Sequence, residues 1–120
     1  VMLLAGAAQA AEPCRGQAPA AEIHGPVLHV IDGERLCVAL GDTPDRWVEL
    51  ALAPPPLQKA ATGQAPTRGA LMGVAFAQNA DCRIVGRQGG LPLAACRIGG
   101  QDVAAMARSP QAAKISRTWR

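Results

Sequence analysis

The feature that most constrains this chain is a pair of apolar segments joined by an Asp-Gly turn, between Gly25 and Val38. Apolar residues recur up to Ile31 and again from Leu36, and we interpret them as the alternating positions of two half-buried strands. The turn at residues 32–35 suits a tight hairpin, because glycine adopts positive φ without steric cost and aspartate can hydrogen-bond its own backbone. The stretch therefore predicts a β-hairpin on which the rest of the fold is built.

The other predicted elements follow from local patterns along the chain. A third strand completes a meander and ends at a run of three prolines, which cannot donate ladder hydrogen bonds. Thr67 is a candidate N-cap for a helix that continues to Asn79. Two further strands flank a glycine-rich turn at residues 88–90. The predicted ranges are 22–31, 35–40 and 46–52 for the first three strands and 101–108 for a short last helix.

Length and composition favour one domain. The chain has 120 residues, of which 49% are hydrophobic, and this is enough to bury a core. Five strands, with one helix after the third and a short helix after the fifth, predict a mainly β fold, a five-stranded Greek-key barrel of the OB type. We expect this domain to span residues 22–109, between a loose segment over residues 11–21 that is held only at Cys14 and a basic tail over residues 110–120.

Residues 1–10 have the character of an export signal. They carry no charge, are mostly apolar and end in Ala-Gln-Ala, the small-x-small pattern that a signal peptidase cleaves. The run is too short to span a membrane, and it lacks the basic start of a complete signal peptide. We interpret it as a signal-peptide remnant and expect a periplasmic or secreted protein with no membrane association after cleavage. The alternative is a disordered apolar N-terminus.

The four cysteines predict disulfides rather than a metal site. An even number of cysteines in a small, exported chain is typical of a disulfide framework. No C-x-x-C pair is present, which disfavours zinc. Of the three possible pairings we favour Cys82 with Cys96, because these residues lie on the two strands that flank the glycine-rich turn. This pairing leaves Cys14 to join Cys37 on the second strand.

Charge and aromatic content argue against a dedicated nucleic-acid surface. The formal net charge is only +3, which permits weak attraction to polyanions without implying it. The only aromatic residues are Trp47, Phe76 and Trp119, so a platform for stacking unpaired bases is nearly absent. His24 and His29 are five residues apart on the first strand, and strict alternation would place them on opposite faces.

The order of motifs resembles the staphylococcal nuclease (thermonuclease-like) family. The chain reads G-x-V-x-x-V-x-D-G-x-x-L-x-V, then a V-x-L strand that closes on a proline loop, then a helix, then C-x-x-x-G-R and G-x-x-L-A-x-C-x-x-G-G-x-D-V. The resemblance covers roughly Ile23 to Arg108. It implies an OB-type barrel with helices, and active members of that family cleave DNA and RNA with the help of calcium. Many bacterial members are exported, and their paired cysteines resemble Cys82 and Cys96.

Most of the family's catalytic residues have no counterpart in this chain. Glu34 stands where the family has a calcium-binding Asp, and it is a weak metal candidate. Glu49 replaces the Arg that contacts the phosphate, which reverses the charge. Pro56 replaces the Glu that activates water, and the neighbouring calcium-binding Asp is also missing. Leu91 occupies the position of the second phosphate-binding Arg, with a register uncertainty of one residue.

These replacements predict a protein without nuclease activity. Phosphodiester cleavage needs cations or a metal to stabilise charge on the phosphoryl oxygens and a base to orient water. A phosphate-binding arginine alone is worth on the order of a thousandfold in rate. We therefore expect no catalytic residues and no cofactor. The expected function is that of a binding or structural module, monomeric by default, whose unknown partner is a protein or a weakly bound nucleic acid.

Two alternatives stay open from the sequence. The first is an active calcium-dependent nuclease that hydrolyses DNA or RNA, with calcium held by Glu34 and with Arg35 and Arg87 as possible anion contacts. This alternative gains support if Arg35, Arg87 and Arg97 converge, and it loses support if Glu49 faces the same concave site as Leu91. The second is a truncated gene product without function.

Overall fold

A curved six-stranded sheet and two helices make up the fold of residues 14–55 and 66–109, which are the residues that the computed structural model describes. A single 3-10 turn, Pro44–Arg46, precedes the third strand. The strands are β1 (Glu22–Val30), β2 (Arg35–Ala39), β3 (Trp47–Leu52), β4 (Asn79–Gln88), β5 (Leu91–Ile98) and β6 (Gln101–Asp102), and the helices are α1 (Arg68–Ala75) and α2 (Val103–Ala107).

The sheet closes on itself into a barrel. Its strand order is β3-β2-β1-β4-β5-β6, and an additional pairing joins β3 to β5. That closing pair is parallel and short, with Ala51 opposite Leu93 and Leu52 opposite Ala94, whereas all neighbouring strands in the order pair antiparallel. Five strands therefore form the closed barrel and β6 extends it by two residues. The predicted mainly β, OB-type barrel with helices is confirmed.

The predicted hairpin is the first pair of strands in the barrel. In its turn, Asp32 Oδ1 accepts a hydrogen bond of 2.9 Å from the backbone amide of Glu34, the local bond that makes aspartate favourable at such a position. Residues 22–26 of β1 pair with β4, and residues 27–30 pair with β2. A β-bulge between Val27 and His29 marks the change of partner. The first half of β1 is thus hydrogen-bonded to β4 and the second half to β2.

The bulge also changes which side chains of β1 face the core. Ile23 and Val27 are buried before it and Val30 after it, so the buried positions shift from odd to even numbers. The alternation that would place His24 and His29 on opposite faces therefore does not hold across the bulge. The structure still does not bring them together, because His24 pairs with Asp81 at 2.6 Å and His29 lies opposite Cys37.

The core is apolar and draws on every strand of the barrel and on both helices. The described residues include no buried polar or charged residue. Its largest fully buried side chains, apart from the cysteines, are Leu36, Leu50, Leu71, Val27, Val30, Val38, Val48 and Val103. Burial of this kind, at about 25 cal/mol for each Å² of apolar surface, is the main favourable term in folding.

Both predicted helices are present but shorter than expected. Thr67 Oγ1 accepts a hydrogen bond of 3.0 Å from Ala70, which confirms the predicted N-cap. Helix α1 ends at Ala75 instead of Asn79, because the chain turns back toward β1 through Ala77, which adopts a φ of 67°. Helix α2 begins only at Val103, since the two residues before it pair with β5 as β6.

The segment before β1 is held at more points than the predicted disulfide. Cys14 is bonded to Cys37, as predicted. The backbone amide of Gly16 also donates to Trp47 at 2.9 Å, and that of Arg15 donates to Pro44 at 3.1 Å. The expectation that only Cys14 holds this segment is wrong, because Arg15 and Gly16 also donate backbone hydrogen bonds, to the 3-10 turn and to β3 respectively.

The second disulfide joins neighbouring strands. Cys82 on β4 lies directly opposite Cys96 on β5, and the two are bonded, which confirms the other predicted pairing. No described cysteine is left as a thiol. Two disulfides in one small domain are typical of an oxidising, extracellular-type environment. Among residues 14–55 and 66–109, neither helix has the length and apolar character that crossing a bilayer requires.

Candidate functional site

A cleft of about 500 Å³ opens in the barrel wall between β3 and the start of β5. These two strands pair only at residues 51–52 and 93–94, so nothing joins them further toward residues 48 and 91. The segment before β1 closes one side of the opening, because it lies along β3 at Gly16. The cleft is lined by Cys14, Arg15, Gly16, Gln17, Ala18, Val48, Glu49, Arg87, Gly90, Leu91 and Pro92.

Glu49 is the acid of the cleft. It lies on β3 between the buried residues Val48 and Leu50, so strand alternation turns its side chain away from the core. Its side chain is only 14% exposed. Within the described part of the chain, Oε2 accepts one long hydrogen bond of 3.4 Å from Arg35 Nη1, beyond the usual range of about 2.7–3.2 Å. Glu49 is therefore a largely buried carboxylate with a weak partner.

Arg35 is held mainly by another carboxylate. Its Nε donates to Asp32 Oδ2 at 2.8 Å, much closer than its contact with Glu49. Although partial burial raises the pKa of Asp32, the hydrogen bonds from the Glu34 amide and the Arg35 guanidinium, together with the charge of Arg35, lower it overall. The hydrogen bond to Asp32 and its charge raise the pKa of Arg35. The structure thus places Arg35 between two acids, beside the cleft but outside its lining.

Two other arginines line the cleft from opposite sides. Arg15 comes from the segment before β1, and its Nη2 lies 2.6 Å from Asp45 Oδ1. Arg87 lies near the end of β4, and its Nη2 donates to the carbonyl of Gly90 at 2.6 Å across the turn. Among the residues that the structure describes, no carboxylate forms an ion pair with Arg87. Arg87 is therefore a positioned cation with an unmatched charge.

Glu34 lies away from the cleft. Its side chain is 57% exposed, and its Oε2 is 3.3 Å from Arg108 Nη2. Its backbone carbonyl accepts a hydrogen bond from Leu52, so it belongs to the hairpin end of β2. Within residues 14–55 and 66–109, no three His, Cys, Asp or Glu side chains are grouped closely enough to hold a metal ion. Glu34, which the sequence predicted as a weak metal ligand, instead forms an ion pair with Arg108.

The structure brings together some of the predicted site residues. Glu49, Leu91 and Arg87 share the cleft. Arg97 does not join them, because it donates to the carbonyl of Gly100 at the far end of β5. Pro56 lies outside the described residues. The geometry therefore unites the two positions at which the thermonuclease-like resemblance expects arginines, and finds an acid and a leucine there.

Sequence reasoning missed Arg15 and Gln17 as cleft residues. They precede the first predicted strand, in a stretch rich in Ala, Pro and Gly that gives no periodic signal. The available clue was the favoured pairing of Cys14 with Cys37, because a disulfide places the residues that follow Cys14 close to β2 and its neighbour β3. That clue locates the segment but not its path along the edge of β3.

No family model matches this chain, and neither the curated proteins nor the solved structures include a significant match. The similarity to thermonucleases therefore stays a prediction from the order of motifs. The strand pairing defines the class of fold, a closed β-barrel with helices. Because a fold of this class does not determine a function, the functional evidence lies in the residues of the cleft.

Proposed function

We propose that this chain is a noncatalytic member of the thermonuclease-like class, exported from the cell, and that it acts as a binding module through the cleft between β3 and β5. The observation that carries the proposal is the position of Glu49. It puts a largely buried carboxylate on the wall of the cleft, at the position for which the thermonuclease-like resemblance implies a phosphate-binding arginine.

Electrostatics explain why Glu49 opposes nuclease chemistry. At 4 Å, two like charges repel by about 4 kcal/mol when the effective dielectric constant is about 20, a value typical of sites near a protein surface. A phosphate in the cleft meets this repulsion in its ground state and more of it as charge develops on the phosphoryl oxygens. Arg35 offsets it only in part, since Asp32 is its closer partner.

The proposed location rests on the two disulfides and the N-terminal sequence. Bonded cysteines persist in oxidising compartments, and the small-x-small pattern at residues 8–10 is that of a signal-peptidase site. Together they support a periplasmic or secreted protein. A binding role then has to be exerted on molecules of that compartment.

A nuclease assay tests the proposal. The oxidised protein is incubated with single-stranded DNA and with RNA, in parallel with calcium and with a chelator, beside an active calcium-dependent nuclease as a positive control. We expect no cleavage above a blank, with circular dichroism showing that the sample is folded. Calcium-dependent cleavage that Glu34→Ala abolishes would refute the proposal and establish the nuclease alternative.

A further inference from the structure

Two side chains of opposite charge, Glu49 and Arg87, line the cleft without forming an ion pair with each other. Glu49 is largely buried and has one long hydrogen bond, whereas Arg87 has a carbonyl partner but no carboxylate among the described residues. Arg15, on the other wall, already pairs with Asp45 at 2.6 Å. A largely buried carboxylate with a weak partner is costly, and Arg87 is an exposed cation, so a ligand that supplies the opposite charge to each of them gains affinity through charge-assisted hydrogen bonds.

Each simple class of charged ligand fits only half of this arrangement. A polyanion gains from Arg87 and Arg15 but is repelled by Glu49. A polycation gains from Glu49 but is repelled by the two arginines. A ligand that carries one positive and one negative group can pair with both Glu49 and Arg87 without adding net charge to the cleft.

The remaining lining defines the body of the ligand. Leu91, Pro92 and Ala18 offer apolar surface in the same lining, and Gln17 offers an amide. The volume of about 500 Å³ lies within the range of about 300–1,000 Å³ that is common for small-molecule sites. An uncharged apolar body between two charged ends is the chemistry of an amino acid or a short peptide.

We infer that the cleft binds a zwitterion of the amino-acid or short-peptide class, with the ligand's ammonium group on Glu49 and its carboxylate on Arg87. This inference rests on the proposed binding function and specifies its ligand. The carboxylate and the guanidinium can form a charge-assisted, bidentate pair, and the ammonium group replaces the weak contact of Glu49 with Arg35.

The test uses the oxidised full chain and the dipeptide alanyl-leucine as a probe, with binding measured by isothermal titration calorimetry. Two blocked probes remove one charge each: N-acetyl-alanyl-leucine lacks the ammonium group, and alanyl-leucinamide lacks the carboxylate. We expect the unblocked dipeptide to bind in a 1:1 ratio and each blocked probe to bind at least about tenfold more weakly, a loss of about 1.4 kcal/mol or more.

Two variants assign each charge to its residue. Glu49→Gln is expected to weaken binding of the unblocked dipeptide about tenfold without weakening the N-acetyl probe, an anion that is relieved of the repulsion by Glu49. Arg87→Gln is expected to weaken binding of the unblocked dipeptide similarly without weakening the amide probe, a cation that is relieved of the repulsion by Arg87. Arg83→Gln is the matched control, because Arg83 lies on the same strand, opposite Glu22 and outside the cleft, and it should change none of these affinities.

The outcomes separate this inference from the function on which it rests. Failure of alanyl-leucine to bind, or equal binding of the unblocked and N-acetylated probes, overturns the zwitterion assignment. Deoxythymidine 5′-phosphate serves as a further probe: if it binds at the cleft and the dipeptide does not, the ligand class is wrong while the cleft remains a binding site. Calcium-dependent cleavage of DNA, by contrast, removes the proposed function itself.

Discussion

At the scale of single residues, the character of the cleft depends on Glu49. The neighbouring residues of β3 are buried apolar side chains, so the strand presents one carboxylate to the opening. Arg35 is the only described residue that forms an ion pair with it, and Arg35 is shared with Asp32. The proposed binding function therefore depends on the sign of the charge at position 49.

Reversing that charge is expected to attract nucleic acid. Glu49→Arg replaces a repulsive group with an attractive one, and we expect it to raise the affinity for a ten-residue oligothymidylate about tenfold or more at 50 mM salt. The affinity should also fall more steeply with added salt. Fluorescence anisotropy with a labelled oligonucleotide measures both quantities.

The control for this experiment is Glu22→Arg, which makes the same change of charge on β1 outside the cleft. A general effect of net charge would raise the affinity equally in both variants, and equal increases would contradict a cleft-specific role of Glu49. Restoration of cleavage is not expected, because the other positions for which the thermonuclease-like resemblance implies catalytic residues also carry different residues.

The Asp32–Arg35 pair predicts a loss of stability in acid. The pKa of Asp32 is lower in the folded protein than its ordinary value, so its ionised form stabilises the fold at neutral pH. This contribution is present above about pH 4 and is lost as the pH falls through the folded-state pKa. Asp32→Asn keeps an oxygen for the Glu34 amide but removes the charge.

Chemical denaturation of the wild type and Asp32→Asn over a range of pH values tests this prediction. The wild type should be the more stable protein at pH 7, and the difference should shrink below about pH 4. Because the Asp32 side chain is 47% exposed, the difference is expected to be small. A difference that stays constant into acid would show that the ionised state of Asp32 does not matter.

At the scale of elements, β1 has to serve two neighbours at once. It pairs with β4 over residues 22–26 and with β2 over residues 27–30, and it bends where the partner changes. The bend brings Gly25 so close to β2 that a Cβ atom there would lie 2.1 Å from the backbone oxygen of Ala39. Pro26 follows at the same place, where its missing N–H is tolerated because the ladder is changing partner.

This crowding predicts that Gly25→Ala is destabilising. The clash is with backbone, which cannot move aside like the end of a flexible side chain, and we expect a loss of about 1–3 kcal/mol or more. Gly86→Ala is the matched control, because the nearest atom to its added Cβ is a Leu93 methyl group at 3.8 Å, an ordinary contact distance. Urea denaturation of both variants measures the difference, and equal losses would contradict the proposed close approach.

The same elements show what the sequence can predict. The hairpin turn, the Thr67 cap and the Cys82–Cys96 pairing depend on residues close together in the chain, and all are confirmed. The bulge after Val27 has no local signal, because it arises where one strand meets two partners. The alternation rule therefore failed for the two histidines although the strand itself was predicted correctly.

The candidate site was predictable in part for the same reason. Glu49 and Leu91 could be singled out from motif positions, but their meeting in one cleft depends on the pairing of β3 with β5, which joins residues about forty positions apart in the chain. The cleft residues before β1 could not be found from periodicity at all. Only the tertiary fold places Arg15 in one lining with Arg87 and Leu91.

At the scale of the whole molecule, the two disulfides are expected to contribute similarly to stability but differently to the cleft. Cys14 and Cys37 are 23 residues apart and Cys82 and Cys96 are 14 apart, so the chain-entropy account gives each bond about 3 kcal/mol, with slightly more for the longer loop. Of the two disulfides, Cys14–Cys37 is the one that anchors the segment before β1, which lines the cleft.

Double substitutions to serine separate these roles. Both pairs of variants are expected to lose on the order of 2–4 kcal/mol of unfolding free energy, measured by denaturation. Binding of alanyl-leucine should weaken when Cys14 and Cys37 are replaced and persist when Cys82 and Cys96 are replaced, at a temperature where both proteins are folded. Equal binding in the two variants would contradict the role of the tethered segment as a cleft wall.

The tether that anchors residues 14–18 has a practical consequence for handling the protein. Production in a reducing cytosol, or purification with a thiol reagent, opens the bond between Cys14 and Cys37. That side of the cleft is then held by backbone hydrogen bonds, such as the one from Gly16 to Trp47, and by the ion pair of Arg15 with Asp45. A ligand screen on such material tests a cleft whose N-terminal side is no longer held by the disulfide. A negative result therefore says nothing about binding to the oxidised form. Expression in an oxidising compartment and thiol counting before every assay are therefore part of any search for the ligand.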